Sequence, residues 1–241
     1  RHLLIDEFQD TDPLQIEMSH KFAPPLAKGH LLGADELGRD VLSRLLHAGR
    51  ISLTVGLAAM AVTVIVGAVL GTLAGYVRGA VDTVLLRLTD AMLSFPPIFM
   101  LLALAAFVRP SLASMTLIIA TTSWMDVTRM VRGLILTLRE QEFVTGARGL
   151  GASGARIMTR HLLPNTVGII AVAATLSVAR AILLESYISF LGYGIQPPLA
   201  SWGNMLNNAQ SYFTTAPWVA IFPGVMITLA VTSFNFLGDG L

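Results

Sequence analysis

Long apolar stretches separated by short polar segments are the main pattern in this chain. Residues 51–77 carry no charge and are long enough to cross a bilayer core of about 30 Å. Similar stretches recur, so we predict five membrane-spanning helices, at about 51–77, 88–108, 112–138, 166–191 and 218–237. Between them lie a polar turn at 78–87, a turn at 109–111, a charged insert at 139–165, and a loop at 192–217 with one short helix. The pattern predicts an all-α membrane protein, a polytopic helical bundle.

Residues 1–50 are more polar and are predicted to form an extracytoplasmic segment ahead of a transmembrane domain at 51–241. Between residues 33 and 50, apolar side chains recur at helical spacing opposite charged ones, and Asp35 is available as the N-cap. An amphipathic helix beside a span lies in the membrane interface or packs on the protein itself, and the pattern leaves both open.

Composition supports the membrane class. The chain is 54% hydrophobic and 13% charged, whereas soluble domains carry about 25% charged residues. A net charge of +1 gives no reason to expect nucleic acid as a partner. The chain has no cysteine, which excludes disulfides and thiolate metal sites, and its five histidines are scattered, so no metal site is predicted.

Arginine placement predicts the orientation. Residues 78–87 and 129–160 together hold eight arginines, while residues 109–111 and 192–217 hold one. Positive residues near span ends mark the cytoplasmic side, so we predict that the insert and the C-terminus are cytoplasmic. Five spans then place residues 1–50 outside, which predicts a sixth, earlier span beyond this chain.

Several residues within the spans are candidates for chemistry or packing. Gly67, Gly71 and Gly75 repeat every four residues, which predicts close helix packing more readily than a role in contacting solute. The last turns of the third span carry Asp126, Arg129 and Arg132 and are predicted to leave the bilayer. The candidates for a solute path are Ser94, Pro96, Pro97, Arg180 and Glu185.

The reasons for those candidates differ. Pro96 and Pro97 remove backbone donors, so they mark a static kink or a hinge. Arg180 and Glu185 are costly in lipid and must face protein or water, either as part of a cavity or as contacts with neighbouring helices. The two are five residues apart, which is a poor spacing for a same-face pair and for an intramembrane catalytic pair.

The insert predicts two short helices. Residues 142–148 can form the first, Gly149 and Gly151 allow a sharp turn, and Ser153 can cap a second helix that ends at Pro164. A helix–turn–helix held by spans on both sides can move as a rigid lever.

The insert also carries a spaced motif. The motif consists of Thr145-Gly-Ala147, three residues, Gly151, nine residues and then His161-Leu-Leu-Pro164. It resembles the EAA loop of permease subunits of bacterial ABC importers. The segments LTDAMLSFPP, ESYISFLGYG and PPLASWGNML resemble DppC/OppC-type permeases of dipeptide and oligopeptide importers, in the order found in that family. The sequence departs from the general motif where Thr145 and Gly146 replace Glu and Ala and where His161 replaces Ile.

This resemblance implies the fold of a type I ABC importer permease that moves peptides delivered by an extracytoplasmic binding protein. It implies two ABC ATPase subunits of the DppD/DppF kind, a second permease of the DppB/OppB type, and location in the bacterial inner membrane. The chain has no G-x-x-x-x-G-K-[ST], so ATP and Mg are expected on the ATPases and this chain is not expected to be an enzyme. The same architecture could instead import nickel chelates, glutathione or another small solute. The residues implied to couple to the ATPase are Glu142, Thr145, Gly146, Ala147, Gly151, Ala152, Ser153, His161, Leu163 and Pro164.

Overall fold

The computed structural model describes residues 21–27 and 29–241, so residues 1–20 of the predicted extracytoplasmic segment lie outside it. The described residues form helices and no β-strand. The α-helices of the described residues, in chain order, are α1 Val41–Val77, α2 Gly79–Leu93, α3 Pro97–Phe107, α4 Leu112–Leu138, α5 Glu142–Gly149, α6 Gly154–Ile157, α7 Val167–Phe190, α8 Trp202–Ala209 and α9 Trp218–Asp239.

The start of α1 differs from the sequence prediction. Asp40, not Asp35, is the N-cap, and its carboxylate accepts a 2.8 Å hydrogen bond from the Ser43 backbone N–H. The predicted amphipathic helix is not a separate element, because from Val41 onward its residues form the first turns of α1. The predicted domain boundary at residue 50 therefore falls inside one helix.

Asp35 instead lies at the centre of a buried ion cluster ahead of α1. Its carboxylate accepts hydrogen bonds from the side chains of Arg39, at 2.9 Å, and Arg44, and from the backbone N–H of Leu37. Burial raises the pKa of Asp35, but the two guanidinium groups and the backbone donors outweigh it, so the pKa lies below its ordinary 3.8.

The glycine repeat lies where α1 packs against α4. A Cβ atom added at Gly71 would lie 2.7 Å from the carbonyl oxygen of Thr128, and one added at Gly75 would lie 2.7 Å from a methyl carbon of Ile135. The backbones approach this closely because glycine has no side chain. The prediction of close helix packing is confirmed.

The predicted polar turn at 78–87 is wrong, because these residues begin α2. Asp82 of α2 binds Arg132 of α4 at 2.7 Å, and Asp90 forms an ion pair with Arg129. Arg132 thus neutralises Asp82, one of the three charges that made residues 78–87 look like a turn, while Asp90 lies after that segment.

Three helices in the described part of the chain are long and apolar enough to cross a membrane: Val41–Val77, Gly154–Phe190 and Trp218–Asp239. A fourth is possible if α2 and α3, bent by 86° at residues 94–96, count as one broken span. The predicted count of five is therefore not confirmed. Helix α4 has the predicted bounds 112–138 but carries three charged residues and is not among these helices.

The bundle has two distinct ends. At the loop end, formed by residues 21–40 and 191–217, the Trp202 indole N–H donates to the Leu45 carbonyl at 3.1 Å. At the insert end, the Arg139 side chain donates to the Tyr76 carbonyl at 2.8 Å, where α1 finishes. Helix α9 runs from the loop end to the insert end and packs Gly238 beside Thr175. The C-terminus and the insert therefore lie toward the same end.

Candidate functional site

The first part of the insert is helical, as predicted. Helix α5 begins at Glu142 and buries Val144 completely against α4 residues that include Val131 and Ile135. The opposite face, with Thr145 and Gly146, is exposed. One residue thus anchors the helix while its predicted coupling face stays free.

A Schellman turn ends α5 and explains the glycine at 151. The Gly151 N–H donates to the Arg148 carbonyl, and the Ala152 N–H donates to the Ala147 carbonyl, both at 3.0 Å. This motif needs a left-handed residue at its second-last position, and Gly151 has φ of +80°. Ser153 then caps α6 by accepting a 3.4 Å hydrogen bond from the Arg156 N–H, as predicted.

The second helix of the insert does not end at Pro164, which corrects the sequence prediction. A widened turn at Met158–Leu162, in which the Leu163 N–H donates to the Met158 carbonyl, leads through a tight turn at Leu163–Thr166 into α7. Proline lacks an N–H, and a locally widened turn accommodates that loss. Residues 154–190 consequently form one continuous helix of 37 residues.

The insert divides into a buried side and an exposed side. Ile157 and Leu162 are fully buried in the same cluster as Val144. On the exposed side, Leu150 is 91% exposed and Phe143 is 42% exposed. The arginines at 148, 156 and 160 are exposed as well. Of the predicted coupling residues, Glu142, Thr145, Gly146, Gly151, Ser153 and Pro164 are exposed, and Ala147, Ala152, His161 and Leu163 are partly buried.

Glu185 lies inside the packed bundle. Its carboxylate accepts hydrogen bonds from Ser52 of α1 at 3.0 Å and from Ser189 of α7 at 2.6 Å, and its side chain is fully buried. The Ser52 hydroxyl also accepts the Trp202 backbone N–H at 3.2 Å, which links α8 to the same network. This burial favours contacts with neighbouring helices, one of the two predicted roles, and the assignment of Glu185 to a solute path stays a prediction.

Arg180 forms an ion pair with Asp126 of α4, and both side chains are close to half exposed, at 41% and 48%. Sequence reasoning missed this partner, because Asp126 was predicted to lie beyond the bilayer. Asp126 is instead the fifteenth of the 27 residues of α4. With Ser123 and Ser177, the pair lines a groove of about 170 Å³ between α4 and α7.

The remaining path candidates lie at the sharp bend between α2 and α3. The Ser94 hydroxyl donates to the Asp90 carbonyl at 2.8 Å, and Pro97 is the first residue of α3. Ser94 and Pro96 are exposed. None of the three is among the residues that line the groove beside Arg180, so the predicted path residues do not form one site in the described chain.

Comparison with known proteins identifies the family of this chain. Residues 67–241 match the family model of the binding-protein-dependent transport system inner membrane component. The chain belongs to this family. The fold class and the resemblance predicted from the sequence are thereby confirmed, and the permease is an inner-membrane component of an ABC transporter.

Several relatives of the permease are similar over most of their length. A candidate peptide permease of Brucella ovis is 44% identical over 88% of this chain and 71% of that protein. The dipeptide transport system permease DppC of Alkalihalophilus pseudofirmus is 38% identical over 99% of this chain and 77% of its own. The glutathione transport system permease GsiD of Pectobacterium atrosepticum is 40% identical over 89% and 71%. Among solved structures, an inward-facing MetNI methionine ABC transporter shares the fold, with a TM-score of 0.66 and 18% identity over 82% of this chain and 94% of that one.

Proposed function

We propose that this permease imports short peptides and that an ABC ATPase drives it by binding the exposed side of the insert. The main observation in support is the exposure of the insert. Leu150 and Phe143 are exposed to solvent, while Val144 is fully buried in the bundle. Exposed apolar side chains in an insert that also exposes Arg148, Arg156 and Arg160 are typical of a surface that docks to another protein.

The packing of the insert suits a lever. Tyr76, at the end of α1, lies against Gly154, where an added Cβ atom would be 3.1 Å from its ring. Ile157 packs with α4, and α6 continues into α7. Because packed cores move as units rather than deforming, a displacement of the insert would be passed to α1, α4 and α7 together.

The proposed assembly contains the partners that the chain lacks. A second permease of the DppB/OppB type would complete the path, and two ATPases resembling DppD and DppF would bind ATP and Mg. An extracytoplasmic binding protein would deliver the solute to the loop end. In this assembly the insert and the C-terminus face the cytoplasm, which is the orientation that the arginine distribution predicts.

We assign peptides as the solute because relatives named as dipeptide and peptide permeases are 38–44% identical to this chain. Glutathione, itself a modified tripeptide, is the second candidate, since a relative that is 40% identical is named for its transport. Nickel chelates and other small solutes are the further alternatives.

The docking half of the proposal is tested by Leu150→Asp in the assembled transporter. We expect this substitution to abolish co-purification of the ATPase and ATP-dependent uptake of a labelled dipeptide. The fold should persist, because the side chain is 91% exposed. Leu26→Asp is the matched control, since Leu26 is 81% exposed at the loop end and should retain the ATPase.

The possible results distinguish docking of the ATPase at the insert from the assignment of peptides as the solute. Retention of the ATPase by the Leu150→Asp variant would contradict docking at the insert. Uptake of glutathione but of no other peptide by the wild-type assembly would replace the peptide assignment and leave the docking mechanism standing.

A further inference from the structure

The groove between α4 and α7 has one charged end and one apolar end. Four residues of α4 and four of α7 line it, each set spaced along one helix face. The polar end holds Ser123, Asp126, Ser177 and Arg180, and the apolar end holds Val127, Met130, Ala173 and Leu176.

Asp126 lies about halfway along α4, and Arg180 lies about halfway along α7, the part of the continuous helix 154–190 that follows the insert. Asp126 is the fifteenth of 27 residues in α4, and Arg180 is the fourteenth of 24 in α7. In a helix that crosses the bilayer, half-exposed charges this far from the helix ends cannot face lipid without a large cost. They must therefore face a partner protein or a water-filled path.

Stability alone does not account for the pair. An exposed ion pair contributes little to folding, and Arg180 forms its hydrogen bond to Asp126 through Nη1 only, among the described residues. A guanidinium group has five N–H donors, so Arg180 has further donors for a second anion while Asp126 holds it in position.

Ser123 provides an independent sign of a ligand. It is 92% buried, since its exposed fraction is 8%, and its hydroxyl has no hydrogen-bond partner among the described residues. Ser177 in the same groove differs, because its hydroxyl donates to the Ala173 carbonyl at 2.6 Å. Buried hydroxyl groups in native proteins usually have a hydrogen-bond partner, so we expect a ligand to provide one here.

We infer that this groove is one wall of the solute path and that Arg180 and Ser123 bind the terminal carboxylate of a peptide in transit. The inference rests on the proposed function. The volume of about 170 Å³ is below the roughly 300–1,000 Å³ of complete ligand sites. This chain therefore supplies half of the site, and the second permease supplies the rest. The apolar end takes the side chain next to the carboxylate.

The test compares two labelled probes, the dipeptide Ala-Phe and its C-terminal amide, in proteoliposomes holding the complete transporter with its binding protein. The readout is the ratio of acid to amide uptake. The same binding protein serves every variant, so its own preference cancels. We expect Arg180→Gln to lower this ratio at least about tenfold and Ser123→Ala to lower it about two- to tenfold.

Three variants serve as controls. Thr122→Val removes a buried hydroxyl outside the groove that already donates to the Ile119 carbonyl at 3.0 Å, and Arg129→Gln removes an arginine of similar exposure, 45%, that pairs with Asp90. Both should leave the ratio unchanged. Arg180→Lys keeps the charge and should keep most of the preference. If Arg180→Gln fails to assemble, Ser123→Ala against Thr122→Val decides the question.

Equal losses of acid and amide uptake in both Arg180→Gln and Ser123→Ala would overturn the carboxylate site while leaving peptide import intact. Absence of ATP-dependent uptake of either probe by the wild-type assembly would instead overturn the proposed function, and this inference with it.

Discussion

Ser52 of α1 donates a 3.0 Å hydrogen bond to the carboxylate of Glu185 on α7, 133 residues further along the chain. Through this bond and the Trp202 N–H that Ser52 accepts, one carboxylate joins α1, α7 and α8. The loop end is therefore organised around a buried polar centre rather than by apolar packing alone.

We expect Glu185→Ala to destabilise the protein by about 2–6 kcal/mol, because it leaves the Ser52 and Ser189 hydroxyls unpaired and each costs about 1–3 kcal/mol. Glu185→Gln keeps a carbonyl acceptor and should cost less. Chemical unfolding in detergent micelles measures both, and an alanine variant as stable as the wild type would contradict this role.

Gly71 is expected to tolerate no side chain. In Gly71→Ala, the new Cβ atom would lie 2.7 Å from the Thr128 carbonyl oxygen, so α1 and α4 must separate at a cost of about 1–3 kcal/mol. Gly133→Ala on α4 is the control, because nothing lies within 4 Å of its added Cβ, and it should be neutral or slightly stabilising. Equal effects of the two substitutions on unfolding would argue against close helix packing.

Gly151→Val is expected to strain the Schellman turn by about 1–2 kcal/mol, because its φ of +80° is left-handed. Nothing surrounds the added Cβ, so membrane insertion should persist. Uptake per ATP hydrolysed should fall. Gly149→Ala, in a helical turn with equally open space, should leave that ratio unchanged. Wild-type coupling in the valine variant would count against the lever.

Asp35→Asn should cost about 3–5 kcal/mol at neutral pH, because Arg39 and Arg44 would lose their buried counter-charge. The pKa of Asp35 is lowered on folding, so its contribution is complete above the unfolded value of 3.8 and is lost as pH falls through the folded pKa. Unfolding at pH 7 and near pH 3 should show the gap between wild type and variant closing in acid. A gap that widens in acid would reverse the assigned sign.

Local signals predicted much of the fold. The bounds of α4, the cap at Ser153 and the turn at Gly151 each depend on a few neighbouring residues, and each matches the structure. The close approach at Gly71 followed from a repeat of small residues. These features require no knowledge of distant contacts.

The sequence alone does not predict which residues, far apart along the chain, contact each other in the fold. Asp126 and Arg180 are 54 residues apart, and no local pattern joins them. The continuation of the helix past Pro164 depends on the burial of Ile157 and Leu162, which outweighs the usual tendency of proline to end a helix. Tertiary packing decides such cases.

The unbroken helix from Gly154 to Phe190 has a geometric consequence. A helix that tilts as one body about a contact near its middle moves its two ends in opposite directions. Rotation imposed where the helix meets the insert would therefore shift the segment after Phe190 the other way. Closure at one membrane face and opening at the other would then be a single rotation, with no separate signal needed to keep them in step.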